Sequence, residues 1–352
     1  MAFNPRNMTK PLAFLKASID HFLAPSSAIG QPEAKSQEKV IPKLKFHGNR
    51  HMKNWQADLL ILFGASIWGF SFIFGRWGLA DCSPGLFMFM RFALAALVTY
   101  VLFAKHIKLT PKKNRNEGLI LGMMMGGGYL LQTYSLNFTD VARAAFFTGM
   151  CLLGIPILNY ILFRDVIKIN SLVGLVIVII GLYIFLDPSF KGINAGDIVG
   201  LISIPVWALY MIYLSVYTTG KTGMGATYQY LFWQLVGVLP VGLLTFIVLE
   251  SGLTPPLHPD LVKGLTLSNK FVIGLIFNAI LASVITVLLH TSSQKYTTPI
   301  QAMICFQAEP ITATIAAVFI FNEKLTAHVV VGGAIIILAI LVSELGWKFS
   351  AK

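Results

Sequence analysis

The sequence predicts an all-α polytopic membrane protein of ten transmembrane helices, arranged as two inverted five-helix repeats. Three observations lead there. The first is composition: of 352 residues, 56% are hydrophobic and 12% charged, with a mean hydropathy of +0.72. Apolar runs long enough to cross a bilayer recur along the chain, and about 18 residues is the length that task requires. Lipid offers no hydrogen bonds, so each run must satisfy its own backbone and is a helix. The runs are also far longer than the alternating segments of a barrel. The second is repetition. Pro156 begins an apolar run to Phe163, Arg164-Asp165 breaks it, and another run continues to Leu186; Pro310 begins a run to Phe321, Asn322-Glu323-Lys324 breaks it, and another opens near His328. Asp165 precedes Gly174 by nine residues, as Glu323 precedes Gly332, whereas the proline-to-acid spacing is nine in one copy and thirteen in the other. A difference of four residues is about one helical turn, so both copies present the same face. The third is the placement of basic residues, which are crowded into alternate loops.

Residues 1–55 form a basic extension: nine Lys/Arg and three Asp/Glu fall in residues 1–56, a net charge of +6. No apolar stretch there has the form of a secretory signal. Leu12, Leu15, Ile19, Phe22 and Leu23 fall at helical spacing, which fits an interfacial amphipathic helix or a disordered tail. Residues 30–54, polar and basic with Gly30, Pro32 and Pro42, read as a flexible linker, and Met52 is a possible alternative start. The expected spans are about 57–76, 84–104, 117–136, 142–163 and 169–187 in a first repeat (56–190), then 196–217, 226–249, 270–291, 299–321 and 327–347 in a second (191–352). An odd number of spans per repeat turns the second copy upside down, and a shared site is then expected between the copies near mid-bilayer.

With the N-terminus cytoplasmic, twenty Lys/Arg lie in inside segments and six in outside loops, so both termini are expected in the cytoplasm. The overall charge of +12 is therefore topological and does not call for nucleic acid. Cys82, Cys151 and Cys305 show neither metal-ligand spacing nor a disulfide framework. The two repeats also match at their starts: Asp58 lies ten residues before Trp68, and Asp197 ten before Trp207. Each Asp suits the positive end of a helix. The tryptophans then fall at equivalent mid-span depths. Tryptophan in lipid prefers the interface, so two at mid-span are expected to face an interior cavity.

Trp68-Gly69, Ser83-Pro84 with Arg91-Phe92, Pro156, Glu309-Pro310 and Asn322-Glu323-Lys324-Leu325 before Gly332 together resemble the EamA-type family of the drug/metabolite transporter superfamily. The resemblance covers about residues 57–347. It implies a ten-helix bundle of inverted repeats that transports small metabolites, often outward, in a bacterial inner (plasma) membrane. Amino acids or their derivatives lead the substrate classes it suggests. Two departures stand out: Asp165 occupies a turn where the family commonly has Glu, and the basic extension is not part of the pattern.

The candidate substrate-binding residues are Trp68, Arg91, Asn159, Trp207 and Tyr210. Trp68 and Trp207 flank the solute, and Arg91 and Asn159 orient it. Arg91 lies seven residues past Pro84, about 10 Å into the span. It reads either as a counter-charge for a carboxylate or phosphate or as a structural cap on loose carbonyls. Glu309, Pro156 and Pro310 are the candidates for coupling or gating. A carboxyl at membrane depth is costly to keep charged, so Glu309 either exchanges a proton during transport or is permanently paired. Each proline removes a helical hydrogen bond and should bend its helix, and Pro205 beside Trp207 reads the same way. Gly118, Gly122 and Gly126 form a small-residue ridge, by default a close-packing surface. The expected partners are a small-molecule substrate, the lipid bilayer and a coupling proton. The seven His are dispersed, and neither a Walker A loop nor a GxSxG elbow occurs, so no catalytic residue, metal or cofactor is assigned. The competing reading is a membrane scaffold acting through its basic N-terminal segment.

Overall fold

The computed structural model describes residues 54–139, 141–163, 169–185, 194–221, 223–252, 262–321 and 327–349. Residues 1–53, with the expected interfacial helix, lie outside the described residues, as do the charged turns at Arg164-Asp165 and Asn322–Leu325. Among the described residues the structure is helical, without strands. The first half holds α1 (Asn54–Asp81), α2 (Pro84–Lys108), α3 (Lys112–Phe138), α4 (Val141–Gly149), α5 (Cys151–Phe163) and α6 (Ile169–Phe185). The second half holds α7 (Ala195–Thr218), α8 (Met224–Thr245), α9 (Asn269–Ile276), α10 (Thr286–Ser293), α11 (Pro299–Phe306), α12 (Ala308–Phe321) and α13 (Ala327–Phe349). Two π-helical segments extend these rods, Phe246–Glu250 after α8 and Phe277–Ile285 between α9 and α10.

Six helical stretches among the described residues are long and apolar enough to cross a membrane: Trp55–Asp81, Pro84–Lys108, Ala195–Thr218, Met224–Glu250, Asn269–Tyr296 and Gln301–Ile320. The other expected spans are helical as well among the described residues. α3 runs for 27 residues, yet it is rich in glycine and carries Gln132, Thr133, Ser135 and Asn137. α4 and α5 are separated at Met150, and α6 and α13 contain the apolar stretches Leu172–Gly181 and Val330–Ala339.

Burial has the polarity of a lipid-solvated bundle. Phe63, Leu97, Leu244 and Phe319 stand exposed on helix faces, while Arg91, Gln234, Asn278, Gln307 and Glu309 are buried inside. Hydrocarbon accommodates the first group. Only protein can hydrogen-bond the second.

Helix pairing is reciprocal between the halves. α1 packs on α9 and α10 through Gly64 against Thr286, Trp68 against Ala282 and Phe74 against Gly274, so the two rods run in opposite directions. The matching pair is α7 on α3, with Gly196 against Thr139 and Gly128 against Trp207, again antiparallel. α1 also meets α12, and α7 meets α4 and α5; α2 packs on α8, and α6 on α13. α3 and α8 run in the same direction, with Gly118 on Trp233, Gly126 on Val241 and Tyr134 on Glu250. Asp197 closes a capping box with Asn194, and its Oδ1 accepts a 2.9 Å bond from Thr139, which fixes the start of α7 to the end of α3. Asp58 differs from its expected position at a helix start: it is buried beyond the first described turn of α1.

The glycine ridge is a close-packing surface. A Cβ on Gly237 would stand 2.6 Å from the Leu119 carbonyl oxygen and 2.8 Å from Gly122 Cα, both rigid backbone. Gly237→Val is therefore expected to force α3 and α8 apart and cost about 1–3 kcal/mol. The measurement is thermal unfolding of the detergent-solubilised protein; an unchanged melting temperature would contradict the packing.

Candidate functional site

A cavity lies where α1, α3, α4, α5, α7, α11 and α12 converge, with about 470 Å³ of non-atom space when the space open to solvent is included. Four of the residues expected at a site line it together: Trp68, Trp207, Tyr210 and Glu309. Trp68 is set by two contacts. Its Nε1 donates to the Ala282 carbonyl at 2.6 Å, and its ring stacks on Phe306 at 5.0 Å between centroids. Ala282 belongs to the π-helical segment, where the Ser283 hydroxyl donates to the Asn278 carbonyl five residues back. Such widened turns recur at functional sites.

Across the cavity, Trp207 meets Tyr129 edge-on at 5.0 Å and Tyr210 at 5.8 Å. The Tyr210 hydroxyl donates to Gln234 at 2.9 Å, so that ring is fixed in place. His290 sits behind this wall against Trp68, Tyr210 and Phe306, with Nε2 bonded to Gln294. The aromatic lining thus comes from both halves of the chain. Trp207 Nε1 is buried and has no acceptor among the described residues.

The helix breaks lie N-terminal to the prolines, one in the turn before Pro310 and one further upstream of Pro156. One rod breaks at Gln307, between α11 and α12, three residues before Pro310. Proline at that position cannot donate to the Phe306 carbonyl, which accounts for the end of α11. The other rod breaks at Met150, six residues before Pro156, and α5 continues through Pro156. The two breaks face one another: Gln307 Nε2 donates to the Gly149 carbonyl at 3.2 Å and to the Met303 carbonyl at 2.9 Å. Gln132 adds a 2.8 Å bond to Thr148. Glu309 lies in the first turn of α12, 5% exposed. Among the described residues no cation and no hydrogen-bond donor meets its carboxylate.

Arg91 borders a second chamber between α1, α2 and α3, and this chamber shares Ser71, Tyr129 and Gln132 with the first. Its Nε donates to Ser283 Oγ at 2.8 Å, and its guanidinium lies 4.7 Å from the Tyr129 ring centre. Asn159 is apart from this group. It is half-buried on α5, lines neither chamber, and its Oδ1 has no partner among the described residues. Tyr129 was legible only as one aromatic among several, yet it joins the two chambers. Thr148 and Gly149 carried no signal, because the helix break at Met150 has no proline of its own.

The far end of the second chamber is tied shut from the second half. Glu250 accepts Gly85 N–H on both oxygens, at 2.9 and 2.8 Å, and the Tyr134 hydroxyl at 2.7 Å. Lys263 donates to the Leu79 carbonyl at 2.8 Å and reaches Asn137 Oδ1 at 3.4 Å, while Ser268 bonds Asp81.

A lipid-solvated helical bundle with two matching halves around a polar and aromatic chamber is the construction of a multi-pass membrane transporter. The chain belongs to the EamA-like transporter family, whose model matches it twice, over residues 55–186 and 194–345. It is 25% identical to an uncharacterized transporter of Archaeoglobus fulgidus over 305 residues, covering 85% of this chain and 89% of the relative. An uncharacterized transporter of Clostridium kluyveri is 24% identical over 275 residues, covering 74% and 83% respectively. A protein of known crystal structure aligns with a TM-score of 0.64 over 85% of this chain and 99% of its own, at 14% identity, which is a likeness of fold.

Glu250→Ala would leave the Gly85 N–H and the Tyr134 hydroxyl without their acceptor. Each buried orphan costs about 1–3 kcal/mol. The variant should melt several degrees below Tyr134→Phe, which leaves Gly85 satisfied; equal melting temperatures would refute the clasp.

Proposed function

We propose that this transporter exports a small metabolite, an amino acid or an amino-acid derivative, by alternating access across the cell's inner membrane, with both termini in the cytoplasm. The observation that carries the reading is that Trp68, Trp207, Tyr210 and Glu309, drawn from both halves, line one cavity. Reciprocal pairing supports an inverted repeat of five spans each. α3 runs with α8 and against α7, while α2 runs against α8, with Gly85 on Phe246 and Phe103 stacked on Tyr228. α1 is joined to α2 by only Cys82 and Ser83, so it points opposite to α7, its counterpart. Inverted halves that rock about a midplane site expose it to each side in turn.

Within this reading Trp68 and Trp207 sandwich the solute, Tyr210 buttresses Trp207, and Arg91 orients an anionic group. Glu309 couples or gates transport. Pro310 shapes the break that brings Glu309 to the cavity, and Pro156 and Asn159 act through α5, whose first residue, Cys151, lines the wall. The favoured substrate class rests on the family resemblance, and a buried arginine and a buried carboxyl beside an aromatic lining are in keeping with it.

Purified protein in liposomes should move labelled amino acids, and Trp207→Ala should reduce flux by about ten-fold or more. Deletion of residues 1–51 should leave flux intact. A scaffold acting through its basic segment would show the reverse pattern, and absence of flux across an amino-acid panel would overturn the reading.

Among the described residues, Glu309 is the only carboxyl in the central lining. If it carries the coupling proton, an imposed proton gradient drives solute uptake or release by the wild type, and Glu309→Gln transports only down the solute gradient. Gradient-driven accumulation by Glu309→Gln would remove the residue from coupling.

A further inference from the structure

Where the two broken rods meet, oxygen acceptors outnumber the hydrogens offered to them. Gln307 is fully buried, and both bonds that its amide makes are donated, to the Gly149 carbonyl at 3.2 Å and the Met303 carbonyl at 2.9 Å. Its Oε1 has no partner among the described residues and lies 2.8 Å from where a Cβ on Gly149 would stand. Gln132 repeats the pattern from α3. Its Nε2 donates to Thr148 Oγ1 at 2.8 Å, and its Oε1 receives no bond among the described residues. The Thr148 hydroxyl gives its hydrogen to the Ala144 carbonyl at 3.2 Å, which leaves the oxygen one free acceptor site. Glu309 adds a buried carboxylate that meets neither a cation nor a donor among the described residues. Gln132, Thr148, Gly149 and Glu309 all line the central cavity.

The helix ends sharpen this imbalance. α4 ends at Gly149 and α11 at Phe306, so two C-terminal ends converge, and the last carbonyls of a helix lack intrahelical partners. α5 and α12 begin at the same breaks, so the end dipoles offset one another in charge. They do not offset one another in chemistry, because carbonyls can ligate a cation and N–H groups cannot. A buried carboxylate calls for a counter-charge. Arg91 is bonded to Ser283 at the other chamber and does not supply it. A proton on Glu309 would neutralise the charge and satisfy a single acceptor. A small hard cation satisfies several oxygens at once, which is how interrupted membrane helices hold sodium. Among the described residues no three His, Cys, Asp or Glu side chains cluster as a metal site, so the available donors are amide, hydroxyl and carboxylate oxygens, the set that hard cations take.

We propose that the double helix break is a sodium site, with the Glu309 carboxylate, Gln307 Oε1, Gln132 Oε1 and Thr148 Oγ1 as its ligands. This rests on the transport reading and names an ion for the coupling role given there to Glu309. Sodium and a proton are then alternative neutralising partners of one carboxylate. An occupied site joins α3 and α4 of the first half to the α11–α12 break of the second, so the bound ion holds the two halves together around the cavity.

The test uses the purified full-length protein in sodium chloride or in choline chloride at equal ionic strength, choline being too bulky for a buried oxygen cage. The wild type should melt a few degrees higher in sodium, by mass action, and should retain radioactive sodium. Glu309→Gln should lose the difference between the salts. Thr148→Val, which preserves side-chain shape while removing one ligand, should raise the half-saturating sodium concentration several-fold. Equal melting of the wild type in the two salts, with no sodium retained, overturns the site even if Glu309→Gln fails to fold, because that comparison needs no variant. A Glu309→Gln protein that keeps the whole difference also overturns it. Amino-acid flux in liposomes separates the two readings: equal flux in both salts, with no sodium bound, removes the site and leaves the transport reading, whereas sodium binding without flux does the opposite.

Discussion

Bonding polar groups at bilayer depth without water is the constraint on which the rest of this structure depends. The chain solves it by breaking two helices against each other. Gln307 spans the gap between the halves, giving its two amide hydrogens to the carbonyls of Gly149 and Met303. Carbonyls set free at a helix break are expensive in hydrocarbon. They are tolerable here because the break of one half lies next to the break of the other. That pairing leaves the first turn of α12, with Glu309, at the edge of the cavity. The cavity is therefore a consequence of backbone bonding as much as of side-chain size.

Close approach is the second half of the solution. Polar bridges between rods require short interaxial distances, and glycine supplies them. Gly69 admits the backbone of α12, where an added Cβ would come 2.8 Å from Ala313 N. Gly128 admits the Trp207 ring, with Cβ contacts of 2.7 Å. The same small residues that let helices associate in lipid thus determine how far each tryptophan reaches into the interior.

The aromatic pair was legible because the ten-residue spacing from Asp to Trp recurs in both repeats, and both tryptophans line the cavity. Glu309 was legible because a carboxyl in an apolar run is rarely accidental. The helix breaks were only half legible. Pro310 marks one, but Met150 is flanked by glycine rather than proline and lies too far from Pro156 for that ring to explain it. Asn159 looked equivalent to the cavity residues because a one-dimensional run of apolar positions does not reveal which helix face turns inward. The π-helical segment was invisible for a different reason. It depends on hydroxyls of Ser283 and Thr286 capturing carbonyls five residues back, a choice among competing local bonds that composition does not encode.

Ser283 connects these themes. Its single hydroxyl donates to the Asn278 carbonyl, which helps widen the turn, and accepts from Arg91 Nε, which holds the guanidinium away from lipid. One residue earlier, Ala282 offers its carbonyl to Trp68. A single irregular turn in the second half thereby positions both the cation and the tryptophan contributed by the first half. The counterpart face, α3 against α7, does the equivalent work with glycine: Gly128 makes room for Trp207, and the adjacent Tyr129 supports its ring. The two halves use different local devices at matching places, which is what divergence of an internal repeat toward one asymmetric pocket would produce.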